Sequence, residues 1–248
     1  MQFCGKKIWV TGAAKGIGYQ VADSFARLGA EVLGLDREFP QSSYPFATQL
    51  LDIADPLQVS EVCQRLLAAE QQLDILINAA GIMRQGKLDD LAIADWQACF
   101  AVNVSGVFYL LRETLPQFKT QRSGCIVNIA SNAAHVPRIN MGAYCASKAA
   151  LVSLSHCAAL ELAEYGVRCN LVSPGSTDTP MLRTMLGGEA GYQRTIVGLP
   201  EQYKLGIPLK KIARPQEIAN TVIFLASDLA SHITMQDIVV DGGATLAA

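Results

Sequence analysis

The sequence contains no stretch that approaches 18 consecutive apolar residues, and its amino terminus, MQFCGKKIWVTG, has no apolar core. A membrane-spanning helix needs about 20 apolar residues, and a secretory signal peptide needs an apolar central region. The sequence therefore predicts a protein that has no contact with membranes and resides in the cytoplasm.

Runs of basic residues are also missing, and the formal net charge is only −2. Proteins that bind nucleic acid or an anionic membrane surface rely on clusters of Lys and Arg. The charge balance thus gives no reason to expect a nucleic-acid or membrane partner.

The cysteines are odd in number, and none of them forms a CxxC pair. Zinc sites use closely spaced cysteines, and disulfide frameworks use an even number. Because several lie in apolar segments, we expect core thiols in a reducing compartment, with neither disulfides nor a bound metal. They are Cys4, Cys63, Cys99, Cys125, Cys145, Cys157 and Cys169.

Half of the 248 residues are hydrophobic, which is enough for a large buried core. Segments with strand and helix patterns alternate along the whole length, without repeats, low-complexity tracts or an interdomain linker. This order predicts one α/β domain over residues 1–248, a doubly wound (Rossmann) parallel sheet with helices on both faces. The segment at about 176–214 is rich in Gly and Pro and has little pattern, so we expect a substrate lid there.

The first predicted strand leads directly into TGAAKGIG at residues 11–18, and a helical pattern follows. Glycines at 12, 16 and 18 would let the backbone approach a pyrophosphate, and the helix amino terminus offers free N–H groups. The spacing is GxxxGxG and differs from the GxGxxG fingerprint. A tight turn with glycines for steric reasons alone is the alternative to dinucleotide binding.

The second predicted strand, Glu31 to Leu35, is followed by Asp36. The acid lies close to the ~20-residue spacing at which a carboxylate bonds the ribose diol of NAD. A carboxylate would also repel the extra phosphate of NADP, so the sequence favours NAD. Arg37 and Lys15 are nearby cations that could accept that phosphate and weaken the preference.

Polar or small residues follow several of the predicted strands. In open α/β sheets the ligand crevice lies outside the carboxyl ends of the strands. Gly12, Asp36, Asn78 and Ser131 each stand at or just beyond such an end. We therefore predict that these four residues meet on one rim of the sheet.

Two other polar residues each have two interpretations. Asp52 would contact the adenine amino group or cap the helix that begins at Pro56. Asn103 lies in an apolar helical run, FAVNVSGVFYLL, and a buried amide needs partners. It would bond a local backbone group or line the site.

The segment SNAAHVPRINMGAYCASK begins at Ser131 and ends at Lys148. Tyr144 and Lys148 are four residues apart, so on the predicted helix, which Tyr144 opens, they share one face. A nearby ammonium lowers the pKa of a phenol, which is ordinarily about 10. Tyr144 could then accept a proton near neutral pH while Ser131 holds the reacting oxygen. Taken alone, a YxxxK pair is more often part of an ordinary helix surface.

Taken together, these motifs resemble the short-chain dehydrogenase/reductase family over residues 6–243. The matching features are TGxxxGIG at 11–18, NAAG at 78–81, Asn103, Ser131, YxxxK at 144–148 and PG at 174–175. Ala79 departs from the family, in which many members have a second Asn at this position. The resemblance implies a homotetrameric oxidoreductase.

The resemblance also implies a role for each matching residue. Tyr144 would be the acid/base, Lys148 would lower its pKa, Ser131 would orient the substrate, and Asn103 would fix a water beside Lys148. The cations Lys15 and Arg37 complete the predicted cofactor site. It comprises Gly12, Lys15, Gly16, Ile17, Gly18, Asp36, Arg37, Asp52, Ile53, Asn78, Ala80, Gly81, Tyr144, Lys148, Pro174, Gly175, Thr177 and Thr179.

Longer segments such as HVPRINMGAYCASKAAL resemble the family members that oxidise a carboxylated cyclic diol with NAD in siderophore biosynthesis. Such a substrate needs a cation, and an arginine can bind a carboxylate with two parallel hydrogen bonds. The predicted substrate residues are Arg84, Ser131, Arg138 and Tyr144, although either arginine could be a solvent-facing loop charge. The alternatives are another family member, such as a 3-oxoacyl carrier-protein reductase, or a non-catalytic dinucleotide sensor.

Overall fold

The computed structural model describes residues 2–246. Its sheet strands are β1 Lys7–Thr11, β2 Glu31–Asp36, β3 Ala47–Leu50, β4 Ile75–Asn78, β5 Gly124–Ile129 and β6 Val167–Pro174. They are followed by β7 Gly198–Leu199, β8 Lys204–Leu205 and β9 Asp237–Val240. The α-helices are α1 Gly16–Arg27, α2 Pro56–Glu70, α3 Ile93–Phe100, α4 Val107–Gln121, α5 Gly142–Leu162, α6 Pro180–Leu186, α7 Glu189–Val197 and α8 Pro215–Ala226.

Seven strands form one parallel sheet in the order β3-β2-β1-β4-β5-β6-β9. The chain runs outward from β1 to β3 and then crosses back to β4, so the direction of winding reverses between β1 and β4. The register places Thr11, Leu35 and Asn78 level with one another at the carboxyl ends of their strands. The predicted doubly wound parallel sheet is confirmed.

Successive side chains of β1 enter cores on opposite faces of the sheet. Ile8 and Val10 pack in the cluster that includes Phe25 of α1 and Val222 of α8. Trp9 packs in the other cluster, which includes Leu151 of α5. All three β1 side chains are at most 1% exposed, which is why β1 has a continuous apolar sequence instead of an alternating one.

The helix predicted from about residue 94 is interrupted. The segment Ala101–Gly106 is a π-helix between α3 and α4, and its wider turn directs Asn103 into the protein. Helix α5 begins at Gly142, two residues before the predicted start at Tyr144. The first difference lies inside a predicted helix and the second at a helix start. At both places contacts with the rest of the fold determine the backbone more strongly than local helix propensity does.

The segment 176–214 is more regular than its sequence suggests, because it contains α6, α7 and the small antiparallel hairpin β7–β8. The two ends of the segment are joined to each other. The backbone N–H of Asp178 donates to the carbonyl of Ala213 at 2.8 Å, and the N–H of Ala213 donates to the carbonyl of Ser176 at 3.0 Å. Its function as a lid remains a prediction.

The cysteines do not all lie in the core. Cys4 and Cys157 are exposed and Cys145 is half-buried, whereas the remaining four are buried free thiols. Burial raises the pKa of Cys63 to about 12 and that of Cys125 to about 11, so these thiols stay protonated at neutral pH. Within residues 2–246, none of the helices is both long enough and apolar enough to cross a membrane.

Candidate active site

A cavity of about 1220 Å³ lies at the carboxyl ends of the parallel strands, beneath the 176–214 segment. Most of the predicted site residues line it although they come from distant parts of the chain. They are Gly12, Lys15, Gly16, Ile17, Gly18, Asp36, Arg37, Asp52, Ile53, Ala80, Gly81, Arg84, Ser131, Arg138, Tyr144, Lys148, Pro174, Gly175, Thr177 and Thr179.

Asn78 does not line the cavity. It is the last residue of β4, and its side chain lies on the face of the sheet that α5 covers, where Nδ2 donates to Oδ1 of Asn128 at 2.8 Å. Asn128 in turn donates to Ser155 on α5 at 2.8 Å. The Asn78 side chain therefore belongs to a buried chain of hydrogen bonds that ties β4 and β5 to α5, and the cofactor contact of this residue remains a prediction.

Asn103 also lies behind the cavity wall. Its Oδ1 accepts from the backbone N–H of Ile82 at 2.9 Å, and its Nδ2 donates to the carbonyl of Ile82 at 2.9 Å and to Ser147 at 2.9 Å. Of its two interpretations, the bond to a local backbone group is the one observed. By fixing the chain after NAAG, Asn103 positions Gly81, on which a Cβ would lie 3.4 Å from the Lys148 amine. The water implied beside Lys148 remains a prediction.

The glycine turn brings β1, α1 and the chain after β4 into close contact. Gly12 has a φ of +68°, and a Cβ on it would lie 2.7 Å from Cα of Ala80. A Cβ on Gly18 would lie 2.2 Å from the carbonyl oxygen of Gly12. These distances are too short for any side chain, so the backbone itself forms this wall of the cavity.

The amino terminus of α1 faces the cavity without a side-chain cap or an acidic residue in its first turn. The first N–H groups of a helix have no intrahelical acceptor, and the helix dipole is positive at this end. Such an end, beside a wall of bare backbone, fits the pyrophosphate of a dinucleotide.

Asp36 is held rigidly at the end of β2. Its Oδ2 accepts from the backbone N–H of Ala14 at 3.0 Å, and its Oδ1 accepts from that of Arg37 at 2.8 Å. Lys15 forms an ion pair with Glu38 at 3.1 Å. Glu38 also lines the cavity, and the sequence analysis did not single it out, because its proximity to Lys15 depends on the fold of two separate turns.

Asp52 is not the cap of α2. The carboxylate of Asp55 accepts from the backbone N–H groups of Leu57 at 2.9 Å and Gln58 at 3.2 Å, and this is the cap. Asp52 instead accepts from the N–H of Ala54 at 2.9 Å and lines the cavity. The interpretation of Asp52 as a cap is therefore wrong, and the adenine contact remains a prediction.

Helix α5 carries Tyr144 and Lys148 into the cavity one turn apart. The Lys148 amine lies 5.9 Å from the centre of the Tyr144 ring and donates to the carbonyl of Ile129 at 2.8 Å. Ser131 stands just beyond the end of β5 and lines the same cavity. Ser131, Tyr144 and Lys148, three of the four residues of the predicted catalytic set, thus share one cavity with the glycine turn, whereas Asn103 lies behind its wall.

The surroundings shift the pKa of both ionisable groups. Burial raises the pKa of Tyr144 above its usual value, and the hydrogen bond with Ser131 opposes this shift. Burial lowers the pKa of Lys148 to about 8. The YxxxK spacing predicts a lowered pKa for Tyr144, but the pKa is raised, because burial disfavours the charged phenolate.

The two predicted substrate arginines have different surroundings. The Arg84 side chain forms an ion pair with Asp95, with Nε 3.0 Å from Oδ1, so its charge is already compensated. Arg138 is half-buried, has no ion pair within residues 2–246, and has a pKa lowered by burial. Of the two, Arg138 is the cation that remains available to an anionic ligand in the cavity.

The fold, the glycine turn and the Ser-Tyr-Lys set together define a dinucleotide-dependent oxidoreductase. A family model described as enoyl-(acyl carrier protein) reductase matches residues 12–245. The chain belongs to the short-chain dehydrogenase/reductase family.

Two relatives have the same described activity. The chain is 62% identical over 248 residues to a 2,3-dihydro-2,3-dihydroxybenzoate dehydrogenase of Escherichia coli, covering 100% of both sequences. It is 43% identical over 253 residues to the Bacillus subtilis enzyme of that name, covering 98% of this chain and 97% of the relative.

Solved structures agree with the fold. A ligand-free aldohexose dehydrogenase of Thermoplasma acidophilum has a TM-score of 0.90 and 30% identity, covering 99% of this chain and 96% of its own. A structure described as ElxO with NADP bound has a TM-score of 0.87 and 27% identity, and the match covers 98% of this chain and 100% of the solved chain. The cofactor of this chain is a nicotinamide dinucleotide.

Proposed function

We propose that the protein oxidises 2,3-dihydro-2,3-dihydroxybenzoate to 2,3-dihydroxybenzoate with NAD, in siderophore biosynthesis. The observation that carries this proposal is the 62% identity, over the full length of both chains, to a dehydrogenase described by that substrate. The cavity supports it, because Ser131, Tyr144 and Lys148 line it together with Arg138, a cation without an ion pair in the part of the chain that the structure describes.

The chemistry follows from the positions of the side chains. When bound, the nicotinamide supplies an acceptor for the hydride that leaves the ring carbon of the substrate. Tyr144, as its phenolate, takes the proton of the substrate hydroxyl while Ser131 bonds the same oxygen. The charge of Lys148 stabilises the phenolate. The ketone that forms then tautomerises to the aromatic product, and this makes the reaction effectively one-way.

Residues that would hold the cofactor surround these groups. The backbone at Gly12 and the amino terminus of α1 would take the pyrophosphate, and Asp36 would take the adenosine ribose. Pro174, Gly175 and Thr177 would border the nicotinamide. A homotetramer remains a prediction from the resemblance, and a cytoplasmic location remains a prediction from the sequence.

The direct test supplies the dihydrodiol carboxylate with NAD or with NADP. We expect a rise in absorbance of reduced nicotinamide with NAD and the appearance of fluorescent 2,3-dihydroxybenzoate. Reduction of a 3-oxoacyl substrate with NADPH, and no oxidation of the diol, would instead favour the carrier-protein reductase. Tight NAD binding without turnover of any alcohol would favour the non-catalytic sensor.

We propose that Asp36 gives the preference for NAD. Its carboxylate occupies the end of β2, and Glu38 pairs with Lys15, one of the two cations that could accept the phosphate of NADP. Asp36→Ala should reduce the ratio of kcat/KM with NAD to that with NADP by about tenfold or more, the size of a lost charged hydrogen bond. Glu31→Ala, an exposed acid at the other end of β2, is the matched control. An unchanged ratio in Asp36→Ala would place the selection elsewhere.

The pH dependence of diol oxidation follows from the two shifted pKa values. Proton abstraction needs Tyr144 ionised while Lys148 remains charged, and the two groups titrate as a pair. Burial lowers the pKa of Lys148 to about 8 and raises that of Tyr144. The pair has therefore lost one of its two protons at pH values that lie between these two pKa values. kcat/KM should rise as the pH passes through about 8 and fall only at pH values above the usual pKa of a tyrosine.

Initial rates at constant ionic strength measure this profile. Lys148→Met removes the group that titrates near 8, so the rising part of the profile should move toward the higher pKa of Tyr144. A wild-type profile that falls between neutral pH and pH 8 would contradict the assignment of the pair.

A further inference from the structure

Lys204, in the short strand β8, lines the active-site cavity together with Arg138. The two residues come from different parts of the chain, since Arg138 lies in the loop between β5 and α5. Both are partly buried. Arg138 also lines a smaller neighbouring cavity with Tyr203 and Leu205, the residues on either side of Lys204. The hairpin of the 176–214 segment thus adds a second cation to the part of the cavity where Arg138 lies.

Neither cation has an acidic partner within residues 2–246. Asp241 is an acid close enough to Arg138 to affect its pKa, but its carboxylate is already engaged. Oδ1 accepts from the backbone N–H groups of Gly243 at 2.9 Å and Ala244 at 3.2 Å. Oδ2 accepts from Thr245 at 2.7 Å and Asn132 at 3.2 Å.

The negative charge of Asp241 acts on Arg138 from a distance, but within residues 2–246 no carboxylate forms an ion pair with Arg138 or Lys204. Two partly buried like charges without such a direct partner raise the free energy of the empty cavity. Burial, and after it the charge of Arg138, lower the pKa of Lys204. An anion bound between the two side chains would relieve both effects, because it neutralises the repulsion and restores hydrogen-bond acceptors to the two donors.

We propose that Lys204 binds the carboxylate of the substrate together with Arg138, so that the 176–214 segment selects carboxylated ring diols. The inference rests on the proposed function and names a residue that determines specificity within it. A carboxylate has two oxygens, which can accept from a guanidinium and an ammonium at the same time. Lys204 would not touch the reacting carbon or its hydroxyl, which would lie against Tyr144 and Ser131.

The test compares two substrates in three proteins. The substrates are the dihydrodiol carboxylate and the same cyclohexadiene diol without its carboxylate. The proteins are wild type, Lys204→Met and the control Lys210→Met, which removes the same charge from an exposed position of the same segment outside the cavity. A second measurement, independent of turnover, is the equilibrium binding of 2,3-dihydroxybenzoate and of catechol.

Lys204→Met should lower kcat/KM for the carboxylated diol by about tenfold to a hundredfold, mainly through KM, which corresponds to one charge-assisted hydrogen bond. It should leave kcat/KM for the uncarboxylated diol unchanged, and it should weaken binding of 2,3-dihydroxybenzoate but not of catechol. Lys210→Met should resemble wild type in every measurement.

Equal losses for both diols in Lys204→Met would overturn the inference, because they would show a structural effect. Unchanged kinetics for both diols would overturn it as well, and either result would leave the proposed function intact. If wild type oxidises neither diol, the proposed function itself fails, and the inference fails with it.

Discussion

Replacing Tyr144 by Phe is expected to abolish nearly all oxidation of the diol while the protein still binds its cofactor. The substitution removes only the phenolic oxygen of a residue in the first turn of α5, and the ring keeps its place in the cavity wall. Because proton transfer by a positioned side chain contributes about a hundredfold to ten-thousandfold, kcat should fall by that factor. KM should change little, since the hydroxyl acts mainly on the transition state.

The matched control is Tyr165→Phe. Tyr165 lies beyond the end of α5, where its ring stacks with Lys119 and Arg122 outside the cavity. Initial rates of cofactor reduction measure activity, and titration of the intrinsic fluorescence measures cofactor binding. Near-normal turnover in Tyr144→Phe would show that another group takes the proton.

Replacing Gly12 by Ala is expected to have the second large effect. The new Cβ would lie 2.7 Å from Cα and 2.8 Å from N of Ala80, and backbone atoms cannot move aside as a flexible side chain can. Overpacking and the positive φ of Gly12 together should cost roughly 2–5 kcal/mol of stability. Because this backbone forms the proposed pyrophosphate site, the affinity for the dinucleotide should also fall, by about a hundredfold, the size of one or two lost charged hydrogen bonds.

Gly5→Ala separates the effect of backbone strain from the effect of overpacking. Gly5 has a φ of +72°, close to that of Gly12, but a Cβ on it would meet nothing within 4 Å. Gly5→Ala should therefore lose only the roughly 1–2 kcal/mol of backbone strain and keep full cofactor affinity. Thermal unfolding without ligand and calorimetric titration with NAD measure the two quantities. Equal effects in both variants would show that contact with Ala80 is unimportant.

The sheet and its rim could be predicted from the sequence because they depend on local rules. Apolar strands buried on both faces are recognisable as continuous runs, and parallel winding brings their carboxyl ends together. Gly12, Asp36 and Ser131 meet at the cavity for this reason. The same rules allowed Tyr144 and Lys148 to be placed on one helix face.

The rest depends on which side chains meet after folding. Asn78 stands at the end of a strand as expected, but its partner Asn128 lies on the neighbouring strand, so only the register shows that the two amides bond each other. The pKa of Tyr144 is raised because the side chain is buried, and the YxxxK spacing alone does not show that burial. The sequence does not predict Lys204 as a site residue, because a strand of two residues has no recognisable periodicity. Only the folded hairpin brings its side chain to the cavity.

The joined base of the 176–214 segment has a consequence for how new specificities could arise. Its two ends bond each other through Asp178, Ala213 and Ser176, so the segment begins and ends at nearly the same point of the scaffold. Loops of this kind tolerate large changes in length and sequence, since the entropic cost of closing a loop rises only slowly with its length. A transplanted segment from another family member could therefore redirect the enzyme to a different alcohol, while the oxidation machinery beneath it stayed intact.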